Sequence, residues 1–146
     1  MIKEIQNKIH TQIPITKLMK VKLEKLDQTK LITTAPLNIN TNDKGTAFGG
    51  SLNTLTIISS WSMAYYLSKK YNIVNPNIVI FKNETKFIRP VTKDIICTTF
   101  IPNKEELEKL EIKLKMKNSA SIKIHSKIIE DGKVCVDFKG IYIIKI

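Results

Sequence analysis

Between Asn38 and Leu67 the chain reads N-I-N-T-N-D-K-G-T-A-F-G-G-S-L-N-T-L-T-I-I-S-S-W-S-M-A-Y-Y-L, and here residue types and spacing suggest chemistry. Asn42-Asp43-Lys44-Gly45 has the composition of a type I turn, with a side-chain acceptor first and glycine last. Gly49-Gly50-Ser51 follows at the start of an apolar run. Ser51 or a neighbour is placed to cap a helix there, while the two glycines leave backbone N–H groups uncovered. Bare amides at a helix N-terminus attract an oxygen that carries negative charge. The expected centre is therefore a site for a negatively charged oxygen built on Gly49 and Gly50, behind the polar loop that holds Asn42 and Asp43.

The elements around that centre follow from periodicity. Ser51 to Ser68 contains no Lys, Arg, Asp or Glu, and its apolar residues point to almost every side of a helix. A helix without a charged face is surrounded by protein, and this one is too short and hydroxyl-rich for a membrane span. Before it, Ile2 to Gln12 has the spacing of an amphipathic helix ended by Ile13-Pro14. Met19, Val21 and Leu23 alternate with polar residues as in a half-buried strand, and Lys30 to Thr34 reads as a second strand. After it, Ile78 to Ile88 reads as one long strand bulged near Asn83, and Asp94 to Ile101 as another. Asn103 with Glu106 forms a capping-box start. The residues beyond fit either period, and the clear start favours a helix to about Asn118. Ile122 to Ile128 and Val134 to Ile144 form a hairpin about Asp131-Gly132. The sum is one α+β domain over residues 1–146, an antiparallel sheet around a buried helix, whose edge strands could pair into a dimer.

Composition narrows the function. The 146 residues carry a formal charge of +11, which favours anionic partners. Arg89 is the single arginine, and the lysines are dispersed along strands, so base readout of nucleic acid is not expected. Cys97 and Cys135 lie in apolar runs and read as buried thiols of a reducing cytoplasm. The N-terminal residues lack the apolar core of a secretion signal. No metal or cofactor is expected.

The string N-x-N-x-x-G-T-x-F-G-G-S, with Ala35-Pro36-Leu37 before it and Trp61 and Arg89-Pro90 after it, resembles the hot-dog fold acyl-thioester enzymes. It is most similar to their small thioesterase branch, found alone or fused behind an acetyltransferase domain. The resemblance implies a homodimer or dimer of dimers with active sites where subunits meet. It also implies an acyl chain beside the central helix, and a pantetheine arm carried by coenzyme A or acyl carrier protein. Where related acyl-CoA thioesterases place an aspartate, five residues before Gly45, this chain has Asn40. Where a second group places a catalytic acid, nine residues after Phe48, it has Ile57. Neither His10 nor His125 falls in the motif, which argues against dehydratase chemistry.

Hydrolysis of a thioester asks for a general base or a carboxylate nucleophile, and Asn40 is neither. It can hydrogen-bond a carbonyl or a water. With the amides of Gly49 or Gly50 it could stabilise the enolate formed when malonyl-ACP loses carbon dioxide, a reaction associated with this branch that needs no base. Asp43 is the acid that could restore hydrolysis; its alternative is a turn residue. Phe48 is read as pocket wall, Ser51 as a cap, and Asn53 and Thr54 as substrate contacts or packing. Arg89 is read as a pantetheine-entrance residue or an ion-pair partner. The expected activity is thus thioesterase or malonyl-ACP decarboxylase, and a non-catalytic acyl-ACP binding module is the third reading.

Overall fold

The helix free of charged residues sets the architecture. In the computed structural model, which describes Met1–Ile146, it is α3 (Gly49–Lys70), and a six-stranded antiparallel sheet wraps around it. Chain order is α1 (Ile2–Gln12), α2 (Pro14–Leu18), β1 (Lys22–Leu26), β2 (Lys30–Ala35), α3, β3 (Asn77–Phe87), β4 (Ile95–Phe100), α4 (Lys104–Lys117), β5 (Ser119–Glu130) and β6 (Lys133–Lys145). The strands lie in the order β1-β2-β4-β5-β6-β3, which leaves β1 and β3 as edges. This is the α+β hot-dog arrangement expected from the sequence.

Alternation within the strands dictates the inner layer. Ile122, Ile124 and Ile128 of β5 and Val136, Phe138 and Tyr142 of β6 are buried against α3, while Lys123, Lys127 and Lys139 take the outer face. The helix buries apolar side chains together with the hydroxyls of Thr56, Ser59, Ser60, Ser62 and Ser68. Ser60 and Thr99 both bond the Ser126 hydroxyl, at 2.7 and 2.6 Å. Thr33 bonds Ser59, which also donates to the Leu55 carbonyl at 2.6 Å, and Tyr142 donates to the Ile57 carbonyl at 2.7 Å. These side chains are buried; Ser59 and Ser60 are thus paired across to the sheet, while Thr56, Ser62 and Ser68 donate to carbonyls of their own helix. Cys97 lies among the same hydroxyls, and burial raises its thiol pKa.

The ambiguous segment is helical. Asn103 accepts the Glu106 amide at 2.9 Å, Glu105 pairs with Lys109 at 3.3 Å, and Asn118 ends α4 in the left-handed region with φ 55°. Leu110 and Leu114 are buried and Ile112 and Met116 exposed, a helical and not a strand division. The Asp131-Gly132 turn has positive φ at both residues, as the hairpin requires.

Three expectations need correction. Met19 and Val21 do not begin a strand: Pro14 starts the short helix α2, Lys20 turns the chain at φ 57°, and β1 begins at Lys22. The irregularity in β3 falls between Ile80 and Lys82, just ahead of Asn83 and not at it, and Phe81 there is exposed. His125 is not simply solvated, because its Nε2 pairs with Asp137 at 2.6 Å on the outer sheet face. That hydrogen bond holds the Asp137 carboxyl below the ordinary range.

The hydroxyl seam makes a definite prediction. Ser126→Ala removes the common partner of Ser60 and Thr99, and should lower stability by about 1–3 kcal/mol in urea denaturation. A loss below a few tenths of a kcal/mol would mean that the seam is not a determinant of helix position.

Candidate active site

The loop before α3 is fixed by its own polar side chains. Asn42 Oδ1 accepts the amides of Lys44 and Thr46 at 2.8 and 3.1 Å, and its Nδ2 donates to Thr46 Oγ1 at 2.7 Å. Gly45 completes the turn at φ 78°, a conformation that L side chains rarely adopt. The Phe48 amide then bonds the Asn40 carbonyl at 2.7 Å, and Ala47 bonds the Val91 carbonyl at 2.8 Å. Helical hydrogen bonding begins where Leu52 donates to the Phe48 carbonyl at 3.0 Å. The amides of Gly49, Gly50 and Ser51 therefore have no acceptor within the helix. Phe48 is the N-cap and supplies no side-chain bond, so Ser51 does not cap; it lies inside the first turn.

Asn40 is 2 % exposed and held in one orientation. Its Nδ2 donates to the Met19 carbonyl at 3.1 Å and to the Pro36 carbonyl at 2.8 Å. Reversing the carboxamide would set its oxygen against two carbonyl oxygens, so the assignment follows from the partners. Oδ1 is buried and has no partner. Asn40 thus offers the site an acceptor, because both of its donors are committed to the backbone. It cannot contribute an N–H to an enolate, and that role falls to the first-turn amides alone.

Two clefts meet at this helix terminus. The first, about 390 Å³, has Ile15, Leu18, Met19, Ile39 and Phe48 as its apolar wall, with Asn40, Gly50, Ser51 and Thr54 as its polar part. The second, about 350 Å³, brings Asn42, Thr46 and Gly49 together with Phe87 and Arg89. The first cleft has no ionisable lining residue and the second only Arg89, so neither contains a carboxylate or an imidazole. Position 57 is Ile, mid-helix, with its carbonyl taken by Tyr142.

The remaining candidates are placed as follows. Asp43 lines neither cleft; its side chain is 81 % exposed and pairs with Lys44 at 3.1 Å. Asn53 accepts a bond from Thr85 Oγ1 at 3.0 Å and ties α3 to the edge strand β3. Arg89 is exposed at the second cleft, and its backbone amide donates to the Cys135 carbonyl at 3.2 Å. Ile15 and Leu18 were not anticipated as cleft residues. The signal was Pro14, a residue suited to the first position of a helix and not only to breaking one.

A curled antiparallel sheet around one helix, with free amides where that helix begins, defines the protein as a hot-dog thioester-type fold. The chain belongs to the family described as "Putative thioesterase (yiiD_Cterm)", whose model matches residues 2–146. It is similar to a protein of unknown function from Chlorobaculum tepidum at 33 % identity, covering 98 % of this chain and 93 % of that one, with a TM-score of 0.93. It is also similar to a "putative thioesterase" from Shewanella oneidensis at 25 % identity, covering 97 % and 95 % of the two chains, with a TM-score of 0.84. A Pseudomonas aeruginosa protein described as "Probable Thioesterase" shares the fold, with 16 % identity, coverage of 98 % and 94 %, and a TM-score of 0.79. No curated protein matches the chain.

The fixed carboxamide yields a test. Asn40→Asp would restore the carboxylate of related thioesterases but point one of its oxygens at the Met19 and Pro36 carbonyls. Burial and those acceptors favour the protonated acid, which raises its folded pKa above the unfolded value. The folded variant then binds the extra proton, so its stability should fall as pH rises above the ordinary aspartate range and recover below it. At pH 7 a deficit of about 1–3 kcal/mol relative to wild type is expected. Thermal melts at pH 4.5 and pH 8 with equal deficits would show that the carboxamide orientation is not fixed as described.

Proposed function

We propose that the protein acts on acyl thioesters, and that its site is better suited to decarboxylating a malonyl thioester than to hydrolysis. The observation that carries this reading is the combination of free first-turn amides with Asn40 Oδ1 as a fixed acceptor and no ionisable group in the apolar cleft. The thioester carbonyl would accept from the first-turn amides. The bond between the carboxylate carbon and C2 then breaks, carbon dioxide leaves, and the electron pair becomes an enolate held by the same amides. A water bonded to Asn40 Oδ1 gives a proton to C2, completing the acetyl thioester, and the hydroxide it leaves combines with the released carbon dioxide as bicarbonate. The apolar wall opposes a localised carboxylate charge more than the dispersed charge of the transition state. An aspartate in place of Asn40 would repel the substrate carboxylate.

Hydrolysis is the second reading, supported by the family description. The same Asn40-bound water would attack the thioester carbon, the C–S bond would break, and with no base in the cleft the water's proton would pass through solvent to the departing thiolate. A charge of +11 favours an acidic acyl carrier protein over coenzyme A as carrier. No helix is long and apolar enough to cross a membrane; the free buried thiols of Cys97 and Cys135 support a cytoplasmic enzyme. Edge strand β3 exposes Val79, Phe81 and Phe87, an apolar edge suited to pairing with a second copy. Sedimentation should give a species of twice 16.7 kDa; a monomer would exclude that dimer.

The deciding experiment is mass spectrometry of malonyl-ACP and a medium-chain acyl-ACP after incubation with the protein. Acetyl-ACP is expected from the first, reduced about 100-fold by Asn40→Ala and unaffected by Asp43→Asn. Free ACP from the second substrate would establish hydrolysis instead. Binding of both without turnover would reduce the protein to a binding module.

A further inference from the structure

The outer face of the sheet carries a group of side chains that the α3 site does not use. Ile124, Phe138 and Tyr142 are buried toward α3, so alternation turns Lys123 and His125 of β5 and Lys139 of β6 outward. Lys139 stands in register with His125 on one side and Glu84 of β3 on the other. Two residues along, Lys123 and Lys82 flank Ile141. Strand spacing and rise place the backbones of these three lysines within about 10 Å of one another. None of the three has a carboxylate within ion-pair distance. The nearby acids are engaged elsewhere, Glu84 with Lys86 at 3.8 Å and Asp137 with His125 at 2.6 Å. Two clefts of about 270 and 400 Å³ share Lys123 and Lys139 as walls. The larger adds Lys82 and Glu84. The smaller adds Glu106 and an apolar ledge of Phe100, Ile101 and Pro102, where the Phe100 and His125 ring centroids lie 5.8 Å apart.

We propose that this face is a second binding site, for a nucleoside diphosphate or triphosphate that lies across both clefts. Lys82, Lys123 and Lys139 take the phosphate oxygens, each as a compact cation with three donors. Their mutual repulsion is relieved when an anion is seated among them. The planar base lies on the ledge of Phe100 and Pro102, where stacking on an aromatic face is tolerant of base type. Asp137 holds the His125 ring, so the wall beside Phe100 is in place before a ligand arrives. Glu106 is an acceptor for a ribose hydroxyl or a base amine. A bare inorganic anion would use only the lysine end, and an apolar molecule only the ledge. The combination selects a ligand that has both. No residue of these two clefts lines either cleft at the start of α3, so the site is independent of the acyl-thioester reading.

The test titrates ADP, inorganic pyrophosphate and coenzyme A separately into isotopically labelled protein, followed by NMR at the amides of Lys123, His125 and Lys139. ADP should shift all three and bind more tightly than pyrophosphate. Lys123→Gln and Lys139→Gln should each weaken ADP about tenfold, and Phe100→Ala should erase the preference for ADP over pyrophosphate. Lys127→Gln removes the same charge from the same face outside both clefts, and should leave ADP binding nearly unchanged. A loss from Lys127→Gln equal to that from the cleft lysines would mean diffuse attraction to a chain of charge +11, and would overturn the site. Pyrophosphate binding as tightly as ADP would overturn the nucleotide assignment. Coenzyme A binding here more tightly than ADP, with Gly49 and Gly50 shifting as well, would make the face an extension of the thioester site and overturn its independence. No shift with any of the three ligands would overturn the proposal outright and leave the acyl-thioester reading to its own test.

Discussion

Everything at the site depends on where α3 stops along its own axis, and the buried hydroxyl seam sets that position. Apolar contacts alone would tolerate small slides of a helix within a curved sheet, because hydrophobic burial is not directional. Hydrogen bonds are directional. Ser60 must meet Ser126, and Ser59 must meet Thr33, while Tyr142 must reach the Ile57 carbonyl. A slide of even one residue, about 1.5 Å, would break these pairs and leave buried hydroxyls without partners. The sheet therefore fixes α3 lengthwise, and the first turn emerges at one defined place on the rim.

The rim then imposes its own conditions. Asn40 reaches across to two carbonyls from different parts of the chain, Met19 after α2 and Pro36 after β2. Its side chain thereby ties the N-terminal helices to the loop, while its carbonyl receives the Phe48 amide and sets the start of α3. One residue thus joins the apolar wall carrying Ile15 and Leu18 to the free amides of the helix. The short helix α2 is what makes a cleft of this rim, because without it the polar end would be open to solvent.

The fold was legible because the strongest signals were compositional and long. A run from Ser51 to Ser68 without a charge has few structural solutions, and the strand pair about Asp131-Gly132 is specified by its turn. The α4 segment could be resolved from Asn103 and Glu106, although its later residues fitted both periods. The site was legible as a location but not as a geometry. Asn40 was recognisable as the residue in place of an acid, but the direction of its carboxamide is set by Met19 and Pro36, which no local pattern reveals. Gly49 and Gly50 are adjacent in sequence, and the helix, turning about 100° per residue, faces them to different clefts. Asp43 illustrates the converse, since a turn places its side chain outward beside Lys44 whatever chemistry its type would permit. Met19 and Val21 show how an alternating pattern misleads when a proline starts a helix just before it.

The unpaired Oδ1 of Asn40 bears on whether this terminus is a site at all. A buried acceptor without a partner costs about 1–3 kcal/mol relative to one that is satisfied, and native proteins leave few such groups. If Asn40 only braced the loop, its two donated bonds would do that work, and its oxygen would be expected to meet a neighbouring N–H. Two such groups, the amides of Gly50 and Ser51, belong to residues that line the same cleft as Asn40, yet they and Oδ1 remain without partners in the protein. Donors and an acceptor left open side by side describe a place where a molecule with both functions is received. On the proposed reading, a water beside a thioester carbonyl has that complement: the carbonyl would take the amides and the water would give a hydrogen to Oδ1. In that arrangement the energy withheld from folding is recovered only when the substrate is bound, which is the condition for using it in catalysis.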